Sequence, residues 1–196
     1  MDDPSARPLL TLVQAWHVEE RELLLENKLF KVRSRFAQSL TSANKRGTFF
    51  YMDSLDWVNV IALTPERQVV CIEQYRVGSN EVTLEIPGGM CDAGEAPLDA
   101  SIRELREETG YAGTRAEIIG SVTPNPAIQN NRCHTALVQD ARLLHAVAFD
   151  DNEEIGVRLL PLEHIDALIL SGVIHHALVL AAFMQLKVHL AGGGTE

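Results

Sequence analysis

The chain has 196 residues, a formal net charge of −10, 46% hydrophobic residues and three cysteines. That length suits one ordinary domain, or one domain with an extension, and is enough to bury a large core. The acidic balance argues against nucleic acid as a partner, because phosphate backbones are held by Lys and Arg patches, and three widely spaced cysteines fit a reduced cytoplasmic protein better than a disulfide framework.

Residues 1–53 read as a β extension ahead of a core at 54–191, with the glycine-rich residues 192–196 as a flexible tail. The first residues lack the basic and apolar regions of a signal peptide. The longest apolar run, 177–184, is too short to cross a bilayer, so no membrane partner is expected. Within the extension, residues 31–36 alternate with period two, 42–47 are turn-forming, and 48–52 carry the aromatics of a return strand. The core opens with apolar strands at 57–63 and 69–75. Further strands are expected near 118–123, 133–138 and 155–160. A helix over 162–170 should stop at Ser171-Gly172, and a second over 173–190 is apolar enough around its circumference to dock on a sheet. His175-His176 does not read as a zinc site, since adjacent helical residues point in different directions. This mixed order predicts an α/β fold, an α/β/α sandwich around a mixed sheet.

Between the early and late strands lies the segment Gly89-Met90-Cys91-Asp92-Ala93-Gly94-Glu95, followed eight residues later by Arg103-Glu104-Leu105-Arg106-Glu107-Glu108-Thr109-Gly110-Tyr111. Pro97 suits a first helical turn and Gly110 the left-handed position just past the end. Leu98, Ile102 and Leu105 recur at the spacing of one apolar face, which predicts that this face packs on the sheet. Glu104 and Glu108 lie on neighbouring turns, with Glu107 further round and Arg103 four residues before it, within ion-pair reach. Two carboxylates about 4 Å apart repel by about 4 kcal/mol at an effective dielectric near 20. A divalent cation removes that penalty, and oxygen ligands favour Mg²⁺, with Mn²⁺ also suited.

These residues resemble the Nudix box, Gly-x5-Glu-x7-Arg-Glu-apolar-x-Glu-Glu-x-Gly-apolar, at every position. The resemblance implies the Nudix sandwich, with Glu104 and Glu108 binding metal, Glu107 serving a further ion, Arg103 orienting the acidic cluster, and the Gly88 carbonyl as a backbone ligand. Over residues 20–190 the chain is more weakly similar to the ADP-ribose pyrophosphatase and nucleoside diphosphate sugar hydrolase group. In that group an arginine at the position of Arg76 approaches the phosphates, Glu85 follows it, and a proline sixteen residues past the box glycine, here Pro126 as a substrate-side candidate, has the spacing that marks the ADP-ribose pyrophosphatase group. The same resemblance implies a general base on a late acidic loop, where Glu153 is favoured and Glu154 second. It also implies exchange of N-terminal strands between two subunits, making a homodimer in which Phe30 would reach a neighbour's site. Trp57 opens a strand and reads either as core or as a stacking platform for a base. Gln129, Asn130 and Asn131 stand where the group often has an acid, and their amides suit a sugar or base.

The implied activity is metal-dependent hydrolysis of the diphosphate of ADP-ribose or a nucleoside diphosphate sugar, giving a nucleoside monophosphate and a sugar phosphate. Alternatives are a Nudix pyrophosphatase for coenzyme A, dinucleoside polyphosphates or capped RNA, and a non-catalytic module that senses ADP-ribose.

Overall fold

Side chains that alternate between the two faces of single strands explain how the continuous apolar runs of the core are used. The structure, a computed structural model, describes residues 13–149 and 154–193. It contains two compact units, Met1–Ser54 with Ala127–Asn130, and Leu55–Pro126 with Asn131–Glu196.

In the first unit, β1 (His17–Glu26), β2 (Lys31–Gln38) and β3 (Arg46–Asp53) form an antiparallel sheet in that order. The β2–β3 hairpin is the one read from the sequence; β1 is an addition. Its sequence, HVEERELLLE, lacks period-two alternation and is rich in helix-favouring residues, so pairing along β2, not local preference, makes it a strand. Arg33 Nε donates to Asp53 Oδ2 at 2.8 Å, and the Arg35 guanidinium lies 3.7 Å from the centre of the Tyr51 ring. Residues 127–130 are stitched to β3: Met52 N donates to the Ile128 carbonyl at 2.7 Å, and Asn130 Nδ2 to Asp53 Oδ1 at 2.7 Å. Leu23, Leu24, Leu25, Phe49 and Phe50 are all between 46% and 58% exposed, so this sheet leaves apolar surface uncovered.

In the second unit, β4 (Trp57–Ala62), β7 (Gly88–Met90), β9 (Arg115–Val122) and β10 (Cys133–Gln139) form a mixed sheet ordered β7-β4-β10-β9. β4 and β10 are parallel and the other pairs antiparallel. β5 (Gln68–Arg76) and β6 (Glu81–Glu85) form a hairpin completed by β12 (Ile155–Pro161) in the order β12-β5-β6, and β8 (Tyr111–Ala112) pairs with β11 (Arg142–Leu143).

On β4, Val58, Val60 and Ala62 join the cores on the side of α1 (Pro97–Thr109), with Leu105, Ala136 and Val138. Ile61 turns the other way, with Leu137, into a core capped by Val179, Ala182, Phe183 and Leu186 of α3 (Ala177–Ala191). Period two on the strands therefore feeds two helical layers, and the α/β/α arrangement expected from the sequence is present.

Two local expectations change. The helix α2 (Ile165–Leu170) follows a 3₁₀ turn at Leu162–His164 and stops at Gly172, whose φ is +76°. α3 then starts at Ala177, not at 173, because residues 173–176 form the turn that carries both histidines. The buried side of α1 is also rotated from the expected stripe. Leu105 is buried, but Ile102 is 44% exposed, and Ala100, Ser101, Glu108 and Thr109 are the other buried positions. Small side chains let the helix sit close to the sheet, and Glu108 is drawn inward by a backbone partner described below.

Candidate active site

The loop between β6 and α1 is built around close backbone approaches. Pro87 offers its carbonyl to Val60 N at 2.8 Å, and Gly88 pairs across from Asn59. A Cβ added to Gly88 would overlap the Val58 carbonyl, and one on Gly89 would overlap the carboxylate of Glu104. Glycine is needed at both positions for that reason. Gly88 N donates to Glu108 Oε2 at 3.0 Å. Glu104 and Glu108 thus bring their carboxylates to the backbone of two consecutive residues. Helix α1 is held in place at its far end by Gly110 (φ +73°), whose N–H bonds to the Arg106 carbonyl.

Arg103 sits at the centre of the acidic cluster. Its Nε and Nη2 hold both oxygens of Glu95 at 3.0 and 2.9 Å, and Nη2 also donates to the Met90 carbonyl at 3.0 Å. Nη1 reaches Glu104 Oε1 at 2.9 Å and Glu107 Oε2 at 3.2 Å. These hydrogen bonds and charges raise the pKa of Arg103 above its ordinary value, so it stays a fixed cation. The guanidinium fork, helped by Asp92 N, lowers the Glu95 carboxyl to about 2. A carboxyl depressed in the folded state contributes stability that is complete above its unfolded pKa and is lost as pH falls through the folded one. Glu95→Gln is therefore expected to be less stable than the parent at pH 7. The gap should close between pH 4.5, the ordinary value, and about 2; urea unfolding followed across that range checks it.

A second buried carboxylate lies at the end of β6. Glu85 is 3% exposed, yet Arg76 Nε and Nη2 reach its two oxygens at 2.8 and 2.7 Å. Thr83 Oγ1 adds a bond at 2.5 Å, and His176 Nδ1 lies 3.0 Å from Oε2. Burial alone would raise this carboxyl, but the bonds from Arg76, His176 and Thr83 outweigh it and hold the group well below the usual carboxylate range. Arg76 and Glu85 are brought together here as a fork on a carboxylate. His176 was not anticipated: its partner is ninety-one residues away, and the only local signal is the His-His pair.

The other anticipated residues divide. Glu107 faces the arginines, with Oε2 on Arg103 and Oε1 3.6 Å from Arg106. Glu154 is exposed and immediately precedes Ile155, which pairs with Gln74 two residues before Arg76. Glu153 lies outside the described residues. On the near side of that interval, Ala148 N donates to the Glu107 carbonyl at 2.8 Å. Pro126 is exposed in a turn, and Trp57 is half-buried at the start of β4. Phe30 belongs to the other unit, half-buried just before β2.

The amides proposed to face a sugar are largely occupied. Asn130 is spent on Asp53 and Ser54, and Asn131 Nδ2 donates to the Leu55 carbonyl. Burial pushes the thiols of Cys71 and Cys133 up to about 12 and Cys91 to about 11, so none supplies a thiolate nucleophile at neutral pH.

Among the described residues no three His, Cys, Asp or Glu side chains converge on one point as a ready-made metal cluster. Mg²⁺ does not require one, since it keeps several waters and is bound through one or two carboxylates plus substrate phosphates. Glu104, Glu108 and the Gly88 carbonyl fit that pattern, with the Gly88-Gly89 backbone free of any Cβ that would crowd them.

Comparison with known proteins agrees with this geometry. The NUDIX domain profile matches residues 55–183. The methanol dehydrogenase activator of Bacillus methanolicus is 33% identical over 107 residues, 54% of this chain and 58% of that protein. The ADP-ribose pyrophosphatase of Bacillus subtilis (strain 168) is 29% identical over 133 residues, 66% of this chain and 72% of its own. The ADP-sugar pyrophosphatase of Mus musculus is 34% identical over 87 residues, 44% of this chain and 40% of its own. The first and third of these alignments therefore span less than two thirds of the relative. A crystal structure of an ADP compounds hydrolase superposes with a TM-score of 0.79 at 21% identity, covering 94% of this chain and 98% of that one; at that identity the likeness concerns the fold. With the box complete from Gly89 to Tyr111 and the profile matched over more than half of the 196 residues, the chain belongs to the Nudix hydrolase family.

Proposed function

We propose that this protein hydrolyses the diphosphate bond of ADP-ribose or a related nucleoside diphosphate sugar, with Mg²⁺ or Mn²⁺ bound by Glu104, Glu108 and the Gly88 carbonyl. The observation that carries this reading is the convergence of the Glu104 and Glu108 carboxylates on the Gly88-Gly89 backbone. Names of relatives agree with it: ADP-ribose pyrophosphatase in Bacillus subtilis and ADP-sugar pyrophosphatase in Mus musculus. The water oxygen bonds to one phosphorus while its proton passes to a general base, and the bridging P–O bond breaks with its electron pair leaving on the departing phosphate. The products are a nucleoside monophosphate and a sugar phosphate.

The bound ion would neutralise phosphate oxygens and lower the pKa of a coordinated water. The protein's own groups do the rest. Arg103 orients Glu104 and Glu107; Arg76, held through Nε and Nη2 by Glu85, turns the rest of its guanidinium to a phosphate; and Glu153, or Glu154 second, takes the water's proton. Catalysis of this kind is mostly positioning and charge stabilisation.

The exposed leucines and phenylalanines of the first unit support a homodimer through that sheet. Among the described residues no helix is long and apolar enough to cross a membrane. Three free, buried cysteines support a reducing, cytoplasmic setting.

Product analysis by mass spectrometry tests the activity. The protein would be incubated with ADP-ribose, GDP-mannose, UDP-glucose, coenzyme A and diadenosine polyphosphates, with Mg²⁺ and with chelator. Metal-dependent release of a nucleoside monophosphate with a sugar phosphate is expected. Turnover confined to coenzyme A or the polyphosphates would replace this substrate class. Binding of ADP-ribose with no turnover would make the protein a sensor.

A further inference from the structure

The His175-His176 pair lies outside the box, and each histidine meets a carboxylate of β6. His175 Nε2 is 3.4 Å from Glu81 Oε1, and His176 Nδ1 is 3.0 Å from Glu85 Oε2. Glu81 and Glu85 are four apart on one strand and so share a face. The two histidines are not helical: His176 is extended, with φ −65° and ψ 120°, and caps the start of α3. An extended pair can serve two carboxylates along a strand, which a helical pair could not.

The two contacts differ in consequence. Glu81 is 46% exposed in its side chain, whereas Glu85 is 3% exposed and also carries the Arg76 fork. An ionised carboxylate only accepts hydrogen bonds, so the shared proton belongs to His176 Nδ1. Arg76 itself remains 43% exposed while its partner is enclosed. The direction of that guanidinium is therefore set by a carboxylate locked from three elements: β5 through Arg76, β6 through Thr83, and the start of α3 through His176.

We propose that His176 is a positioning residue, whose Nδ1–H fixes Glu85 so that Arg76 meets a diphosphate oxygen without reorganising. The inference rests on the reading above in which Arg76 contacts phosphate. An arginine that binds ground state and transition state alike affects KM more than kcat. Losing one hydrogen bond to a charged group corresponds to roughly a 10-fold change or more.

The test uses the full chain with Mg²⁺ and ADP-ribose. His176→Leu is expected to raise KM about 10-fold with kcat within about twofold. His176→Asn, whose Nδ2 takes the place of Nδ1, should return KM to within about threefold of the parent. In an Arg76→Ala background, His176→Leu should add nothing, since both act through one guanidinium. A readout without substrate is the ¹H–¹⁵N resonance of Arg76 Nε, expected to exchange slowly in the parent and in His176→Asn and to be lost in His176→Leu. Unchanged KM and a retained resonance in His176→Leu would overturn the proposal, as would equal losses in the Leu and Asn variants. Absence of turnover by the parent would sink the functional reading alone, and the Arg76 resonance would still decide the positioning role.

Discussion

Glu108→Gln is expected to lower kcat/KM by about 10³-fold, because a metal ligand is asked for several kcal/mol of charge stabilisation and each 1.36 kcal/mol is tenfold. The amide oxygen of Gln can still accept from Gly88 N, so the bond seen at 3.0 Å need not be lost with the charge. Thermal unfolding should therefore stay close to the parent while Mn²⁺ affinity, read by titration calorimetry, falls. Near-parental turnover would remove Glu108 from the metal site. A collapse of stability together with activity would show that its inward position is structural first. The burial of this acid in a helix face otherwise made of the uncharged Ala100, Ser101, Leu105 and Thr109 makes the distinction worth drawing.

Glu153→Gln should lose between 10² and 10⁴ in rate, roughly what a general base contributes, with Mn²⁺ binding unchanged. Glu154→Gln should lose less than about tenfold on the same scale. Support comes from the two fixed ends of the interval. Ala148 is tied to the Glu107 carbonyl, and Ile155 pairs with Gln74, beside the strand end that carries Arg76. Six residues separate those anchors, one held on the acidic helix and one on the hairpin of the arginine. A normal rate in Glu153→Gln with a crippled Glu154→Gln would exchange the two roles. Normal rates in both would place the base elsewhere.

Either variant also separates catalysis from binding. A base acts only on the reacting water, so ADP-ribose should still bind to Glu153→Gln. Loss of Glu108 should weaken every step in which the metal takes part.

What the amino-acid sequence determined by itself was the local chemistry. The spacing from Gly89 to Tyr111 placed three acids and an arginine on consecutive turns, and Pro97 and Gly110 marked the helix ends within a residue. Continuous apolar runs likewise marked the central strands β4 and β5, because burial on both faces leaves no polar alternation in adjacent residues. Tertiary structure decided what depends on distant partners. It made β1 a strand against local preference by pairing it with β2. It turned α1 so that Glu108 meets Gly88 and Ile102 stays at the surface. It joined Asn130 to Asp53 and Ser54, seventy-seven and seventy-six residues away. It delivered His176 to Glu85 across ninety-one residues. Each of these choices is a contact between elements whose separation in sequence carries no periodicity, so only the packed fold specifies it.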